Sequence, residues 1–218
     1  MSTNPEAPQA PLPKWSLAFE AVMEHIREFH PDEIDDAYDY FWEEEDPEEF
    51  LSGLSLEIGF HNFEDWLVCD YRNKELDGKG FIERYMEATE VDEETVSILK
   101  VLDSSFLSLY EVASVEGDTV RLRDLALNKE VNLSEPRVCM LKPSEIFAAR
   151  LVEVGGKLYM THGVYPFSGR IKEKVVEYLG KLYSRYAKHN KDATMAAFLK
   201  SEAYSFNTIW VSCLHKIR

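Results

Sequence analysis

The chain has 218 residues, 45% of them apolar and 29% charged, a composition that sustains a folded core and excludes a fibrous or wholly disordered protein. Its 40 acidic residues against 24 basic ones leave a formal charge of -16, which opposes sequence-independent attraction to phosphate backbones or anionic lipid. No apolar run is long enough for a bilayer, and acidic and proline residues stand where a leader peptide needs a basic and then an apolar stretch, so the expected location is cytoplasmic.

Residues 1–13 hold Pro5, Pro8, Pro11 and Pro13 with little to bury, and are expected to be a disordered lead-in. From Trp15 the pattern turns helical, with Phe19, Val22, Met23, Ile26 and Phe29 recurring at three and four residues until Pro31. A second helix is predicted from Pro31 to Phe41, with Ile34 and Tyr38 on its apolar side. Asp46-Pro47-Glu48-Glu49 reads as a third start, since a carboxylate caps free amides and proline tolerates the first position. Leu51, Leu54 and Ile58 would form its buried stripe. Asn62 followed by Asp65 reads as the cap of a further helix carrying Phe63, Trp66, Leu67 and Tyr71 and stopping near Asp77-Gly78. Helices over Phe81 to Ala88 and Asp92 to Leu102 complete this part.

At Phe106 the texture changes to short β-branched and aromatic runs broken at Gly117-Asp118, Asn128-Lys129 and Gly155-Gly156, which predicts about five antiparallel strands over residues 106–167. After Pro166 an apolar stripe of Ile171, Val175, Leu179, Leu182 and Tyr186 lies among Lys172, Lys174, Lys181, Arg185 and Lys188. Two more helices, over Ala193 to Lys200 and from Ser205 onward, close the chain. The organisation expected is a lead-in over 1–13, an acidic helical region over 14–104, an antiparallel β region over 105–167 and a basic helical region over 168–218. The fold class is α+β, its central sheet curved or closed into a small barrel because a flat sheet of that size would expose its edges.

Charge is divided between the halves. Residues 1–104 carry 28 acidic and 7 basic side chains, and the rest carry 12 and 17. In the β region Arg121 and Arg123 alternate with Val120 and Leu122, so both guanidiniums fall on the face away from the core. Lys129 lies nearby and Tyr110 and Tyr159 supply aromatic faces, a composition suited to a protein or single-stranded nucleic-acid partner. The alternative is a solvated strand face paired with Glu111 or Glu130.

Other clusters are weaker. His30, Asp32, Glu33, Asp35, Asp36, Asp39 and Glu43 offer oxygen and imidazole ligands, but one amphipathic helix face explains the same spacing, and no metal or cofactor is expected. Glu57, His61 and Asp65 recur at four residues, yet a helix start at Asn62 would place His61 in a turn. Cys69, Cys139 and Cys213 have no C-x-x-C spacing and read as reduced thiols, and Cys213, which with His215 offers a soft pair for a metal, lies on the apolar stripe of the final helix and reads as a core thiol. No nucleophile elbow and no phosphate or dinucleotide loop is present, so no catalytic residue is assigned.

The segment Phe63, Trp66, Asp70 and Tyr71, then Ser108 to Val112, Arg123 to Leu125 and Ala148 to Val154, resembles an uncharacterised bacterial family with a helical region and a small β domain. Its members often carry the zinc motif of the SecA C-terminus, whose cysteines are missing here. The likeness spans about residues 50–160 and implies a mainly structural role for Trp66 and Tyr71. Asp70, an acid amid apolar neighbours, is expected to be buried and paired, with Arg150 a suitable partner. The functional expectation is a non-enzymatic binding or adaptor protein acting through the β region and the basic C-terminal helix. The alternative is a metal-dependent hydrolase using the acids from His30 to Asp39.

Overall fold

The computed structural model describes residues 12–73, 78–134 and 141–215; residues 1–11, Cys139 and the side chain of His215 lie outside the described residues. The first helix, α1 (Lys14–Phe29), buries Trp15, Phe19, Val22, Met23 and Ile26, the stripe its spacing predicts. It is followed by α2 (Pro31–Trp42), with proline in its first turn, and by one turn, α3 (Pro47–Phe50), whose cap Asp46 accepts from the Glu48 amide at 2.9 Å.

The next helix departs from the expectation. It is a single rod, α4 (Leu54–Cys69), with no start at Asn62. The break falls earlier, at Gly53, whose φ of +53° suits a residue without a Cβ. Gly59 does not interrupt the rod but lets it pack closely, since a methyl there would lie 3.0 Å from both Leu51 and Trp42. Asn62, 1% exposed, uses its Oδ1 on the Val164 amide at 2.6 Å instead of capping its own helix. The rod also ends before Asp77, at Cys69, where the Cys69 carbonyl accepts from Lys200 Nζ at 2.7 Å. Two shorter helices follow, α5 (Phe81–Ala88) and α6 (Glu93–Ser104), the latter capped by Asp92 on the Thr95 amide at 3.0 Å.

Five antiparallel strands, β1 (Leu107–Glu116), β2 (Thr119–Asp124), β3 (Lys129–Ser134), β4 (Ile146–Val154) and β5 (Lys157–Phe167), form one sheet in the order β3-β2-β1-β4-β5. The sheet is curved and unclosed. Its curvature brings β3 close to β5 without joining them in a ladder. Register shifts after Val112 and after Ala149 mark bulges, and the second leaves Thr161, His162 and Gly163 of β5 opposite Arg150. Gly155 and Gly156, at φ +61° and +73°, make the two-residue turn between β4 and β5.

Strand alternation divides the apolar residues between two cores. Tyr110, Val112, Val120, Leu122, Leu133, Phe147 and Ala149 fill the inner side of the curved sheet. Leu107, Leu109, Ile146, Ala148, Val152 and Tyr165 face the helices. After β5 a 3-10 turn leads to α7 (Lys172–His189), α8 (Met195–Ser201) and α9 (Ser205–His215). Phe206 and Trp210 of α9 pack on Tyr165, and Phe198 of α8, Val175 of α7 and Trp15 of α1 join the same core. The acidic and basic regions of the sequence therefore share one hydrophobic interior.

Two glycines test this packing. A Cβ at Gly163 would lie 2.8 Å from Asp65 Cβ, so Gly163→Ala should cost about 1–3 kcal/mol in urea unfolding, because α4 and β5 must separate. Gly180 is inside α7 with no atom within 4 Å of an added methyl. Gly180→Ala should stabilise by roughly 0.5–1 kcal/mol in the same measurement, and a loss there would contradict the open surface.

Candidate functional site

The sheet and the helices meet at a buried charge. Arg150, on β4 opposite the bulge, is 0% exposed, and alternation points it toward α4. Its Nε donates to Asp65 Oδ2 at 2.9 Å, its Nη1 to the Ser105 carbonyl at 2.8 Å, and its Nη2 to Asp70 Oδ2. Lys200 of α8 lies 2.9 Å from Asp70 Oδ1. Two carboxylates thus face two cations, and the guanidinium spends its donors on α4 with its C-cap and on the link that follows α6.

Burial works against the charge of Arg150, but Asp70 and Asp65 overcome it and hold the guanidinium well above its usual value. Burial, helped by the same two carboxylates, pushes the Tyr165 phenol well above its range. Burial likewise pushes the Cys69 thiol up to about 12, so Cys69 is a packed thiol and not a nucleophile. This constellation holds elements together and presents no open reacting atom. Asp70 is the acid singled out in the sequence. Asp65 enters the sequence reading only beside Asn62 and in the spacing with Glu57 and His61, and Lys200 does not enter as a site residue, although Asp65 shares a helix face with buried Asn62, Trp66 and Cys69.

The arginine row of β2 lies on the outer side of the sheet. Arg121 and Arg123 are exposed, while Val120 and Leu122 between them are fully buried. On the neighbouring strand Glu111 lies 3.7 Å from Arg123 and accepts from Lys172 Nζ at 2.7 Å. That carboxylate ties the start of α7 to the arginine row. Along α7, Lys174, Tyr178, Lys181, Arg185 and Lys188 are all exposed at offsets of three and four, so they form one basic stripe containing an aromatic ring.

Three of the residues expected at this surface stand elsewhere. Tyr110 is 4% exposed and packs inside the curved sheet against Phe147, so it offers no stacking face. Lys129 is exposed but pairs in register with Asp124, which places it on the face opposite Arg121 and Arg123. Tyr159 is half-buried on β5, separated from β2 by β1 and β4, with Lys157 Nζ 5.1 Å from its ring. Arg121 and Arg123 remain on one face of β2, and Glu111, bonded to Lys172, is the neighbour of Arg123.

The acids of α2 do not converge. Glu33 turns inward, accepting from Arg84 at 2.7 and 3.0 Å and facing His30 Nδ1 at 3.0 Å, whereas Asp32, Asp35, Asp36 and Asp39 are exposed on one helix. Glu57, His61 and Asp65 do share a continuous helix, but Glu57 and His61 are at the surface while Asp65 is buried on Arg150. Among the described residues no group of three or more His, Cys, Asp or Glu side chains is placed to hold a metal ion, and no helix is long and apolar enough to cross a membrane.

Removing Asp70 leaves Arg150 and Lys200 short of a counter-charge, so Asp70→Ala should lower the unfolding free energy by about 3–5 kcal/mol; an unchanged urea midpoint would contradict the pairing. The Cys69 thiol gives a second test. In the unfolded chain it ionises near its ordinary 9.0, so above that pH the unfolded state binds fewer protons than the folded one. Stability should therefore fall as pH rises from 9.0 toward 12, and Cys69→Ser should flatten part of that fall.

Comparison with curated proteins and with solved structures finds no match to this chain. Residues 55–203 match the family model described as Family of unknown function (DUF7986). The matched stretch runs from the start of α4 past the end of α8 and contains Asp65, Asp70, Arg150 and Lys200 together with the arginine row and α7. The chain belongs to this family of unknown function.

Proposed function

We propose that the protein is a non-enzymatic binding or adaptor protein that engages an anionic partner through the outer face of β2 and the basic stripe of α7. The observation that carries this reading is Glu111, which accepts from Lys172 and lies beside Arg123, making two separate basic elements into one surface. The guanidiniums of Arg121 and Arg123 and the cations of α7 are exposed, and Tyr178, 45% exposed, adds apolar area among them. An acidic protein segment fits this face better than nucleic acid, because the chain's charge of -16 repels a long polyphosphate while a short carboxylate-bearing segment meets only the local potential.

The hydrolase alternative has less support. Glu33, the most enclosed acid of its stretch, is already neutralised by Arg84, and the remaining acids project from one helix without a second carboxylate- or imidazole-bearing element among the described residues to complete a metal shell.

Affinity capture from nuclease-treated lysate tests the proposal. Arg121→Glu/Arg123→Glu and Lys181→Glu/Arg185→Glu should each weaken capture of the same partner about tenfold while leaving the thermal midpoint unchanged, since all four side chains are exposed. Loss of the captured species on nuclease treatment would identify a nucleic-acid partner instead, and identical capture by the variants would remove this face from the function.

A further inference from the structure

The C-terminal end of α2 concentrates negative charge without internal relief. A helix C-terminus is the negative end of the peptide dipole and favours cations. Here the last turn has no basic residue, and Asp39, Glu43, Glu44 and Glu45 crowd it, all exposed. Asp36, Asp39, Glu43 and Glu44 line, with Tyr40 and Tyr204, a cleft of about 530 Å³. The two rings meet at 60° with centroids 5.4 Å apart, and Tyr40 is backed by Trp66, stacked at 5.9 Å. The cleft therefore has an aromatic corner within a ring of carboxylates.

A second observation comes from the adjoining cavity of about 180 Å³, which shares Glu43 and has Trp42, Asn207 and Thr208 on its wall. Asn207 is 3% exposed and donates its Nδ2 to the Phe41 carbonyl at 3.0 Å. Its buried Oδ1 has no hydrogen-bond partner among the described residues. Buried acceptors are nearly always paired, so an orphaned one on a cavity wall beside carboxylates marks a place for a donor. Thr208 Oγ1 donates to Glu43 Oε1 at 3.0 Å and so fixes that carboxylate between the two cavities.

We propose that this two-part cleft binds an arginine side chain of a basic peptide. A guanidinium presents five donors in a planar fork, stacks on aromatic faces and is weakly hydrated, which matches carboxylates, an orphaned amide oxygen and two tyrosines better than an ammonium does. Asp32 and Asp35 continue along the exposed side of α2 and supply counter-charges for basic residues flanking that arginine. The site goes beyond the anionic-partner face and does not depend on it.

Titration calorimetry of the full chain with a tri-arginine amide tests this, with tri-lysine amide as the comparison. Saturable one-to-one binding, weaker for tri-lysine, is expected. Glu43→Gln/Glu44→Gln should weaken it about tenfold, whereas Glu20→Gln/Glu24→Gln, which removes the same charge from exposed positions of α1, should change it by about twofold or less. Tyr40→Leu, which leaves every carboxylate in place, should also weaken binding, and Arg121→Glu/Arg123→Glu should not. Equal losses in the two glutamine pairs, equal affinity for tri-lysine, or no saturation would overturn the proposal.

Discussion

Everything in this structure is arranged around one buried guanidinium. Arg150 has no exposure, and an arginine taken out of water without counter-charges would be strongly destabilising. Asp65 and Asp70 supply those counter-charges from one helix, five residues apart, and Ser105 supplies a carbonyl from the link between α6 and β1. A well-packed apolar cluster of the same volume would often be as stable, so what such a network adds is register. Only one placement of α4 along β4 satisfies Nε and Nη2 together.

That constraint explains several local irregularities. The bulge in β5 opens space opposite Arg150, and Gly163 is needed within it because Asp65 lies where a side chain would be. The helix ends at Cys69 because Asp70 is drawn to Arg150 and Nη2 is fixed by the strand. Lys200 then donates to the Cys69 carbonyl and pairs with the Asp70 carboxylate, which seats α8 on the helix end. A single charge thereby couples the sheet, the N-terminal helices and the C-terminal helices, and the shared apolar core forms in the geometry it sets.

The sequence was legible where one periodicity acted alone. The stripe of α1, the proline-led start of α2, the strand breaks at Gly117 and Gly155-Gly156 and the α+β class follow from local chemistry, and the structure has them. It misled where a side chain served a distant partner. Asn62 has the chemistry of a helix cap, but its oxygen is used on an edge-strand amide 102 residues away, and no local pattern records that. Tyr110 was assigned to the surface on its residue type, whereas strand parity puts it with Val112, on the inner side of a sheet curved enough to have a second core. The neighbour of Arg123 that matters, Lys172, lies on another element entirely, so the composite basic surface is a tertiary property.

The division of charge along the chain also acquires a physical meaning. Within the acidic half, Lys14, Arg27, Arg72, Lys79 and Arg84 are already paired with acids of that same half. Among the described residues the ion pairs across the halves run through Asp65 and Asp70, which are buried and so remove little of the surface imbalance. Most of the surplus acids therefore stay outside, several gathered at the end of α2, while the cations of α7, two of them paired locally with Glu111 and Glu177, line the opposite-signed stripe. Packing the halves on one apolar core holds two surfaces of opposite sign in a fixed relation, although mutual neutralisation would lower the electrostatic energy of the isolated chain. Such an arrangement leaves unneutralised charge of each sign exposed at separate faces, which is the physical condition that the proposed partners would exploit.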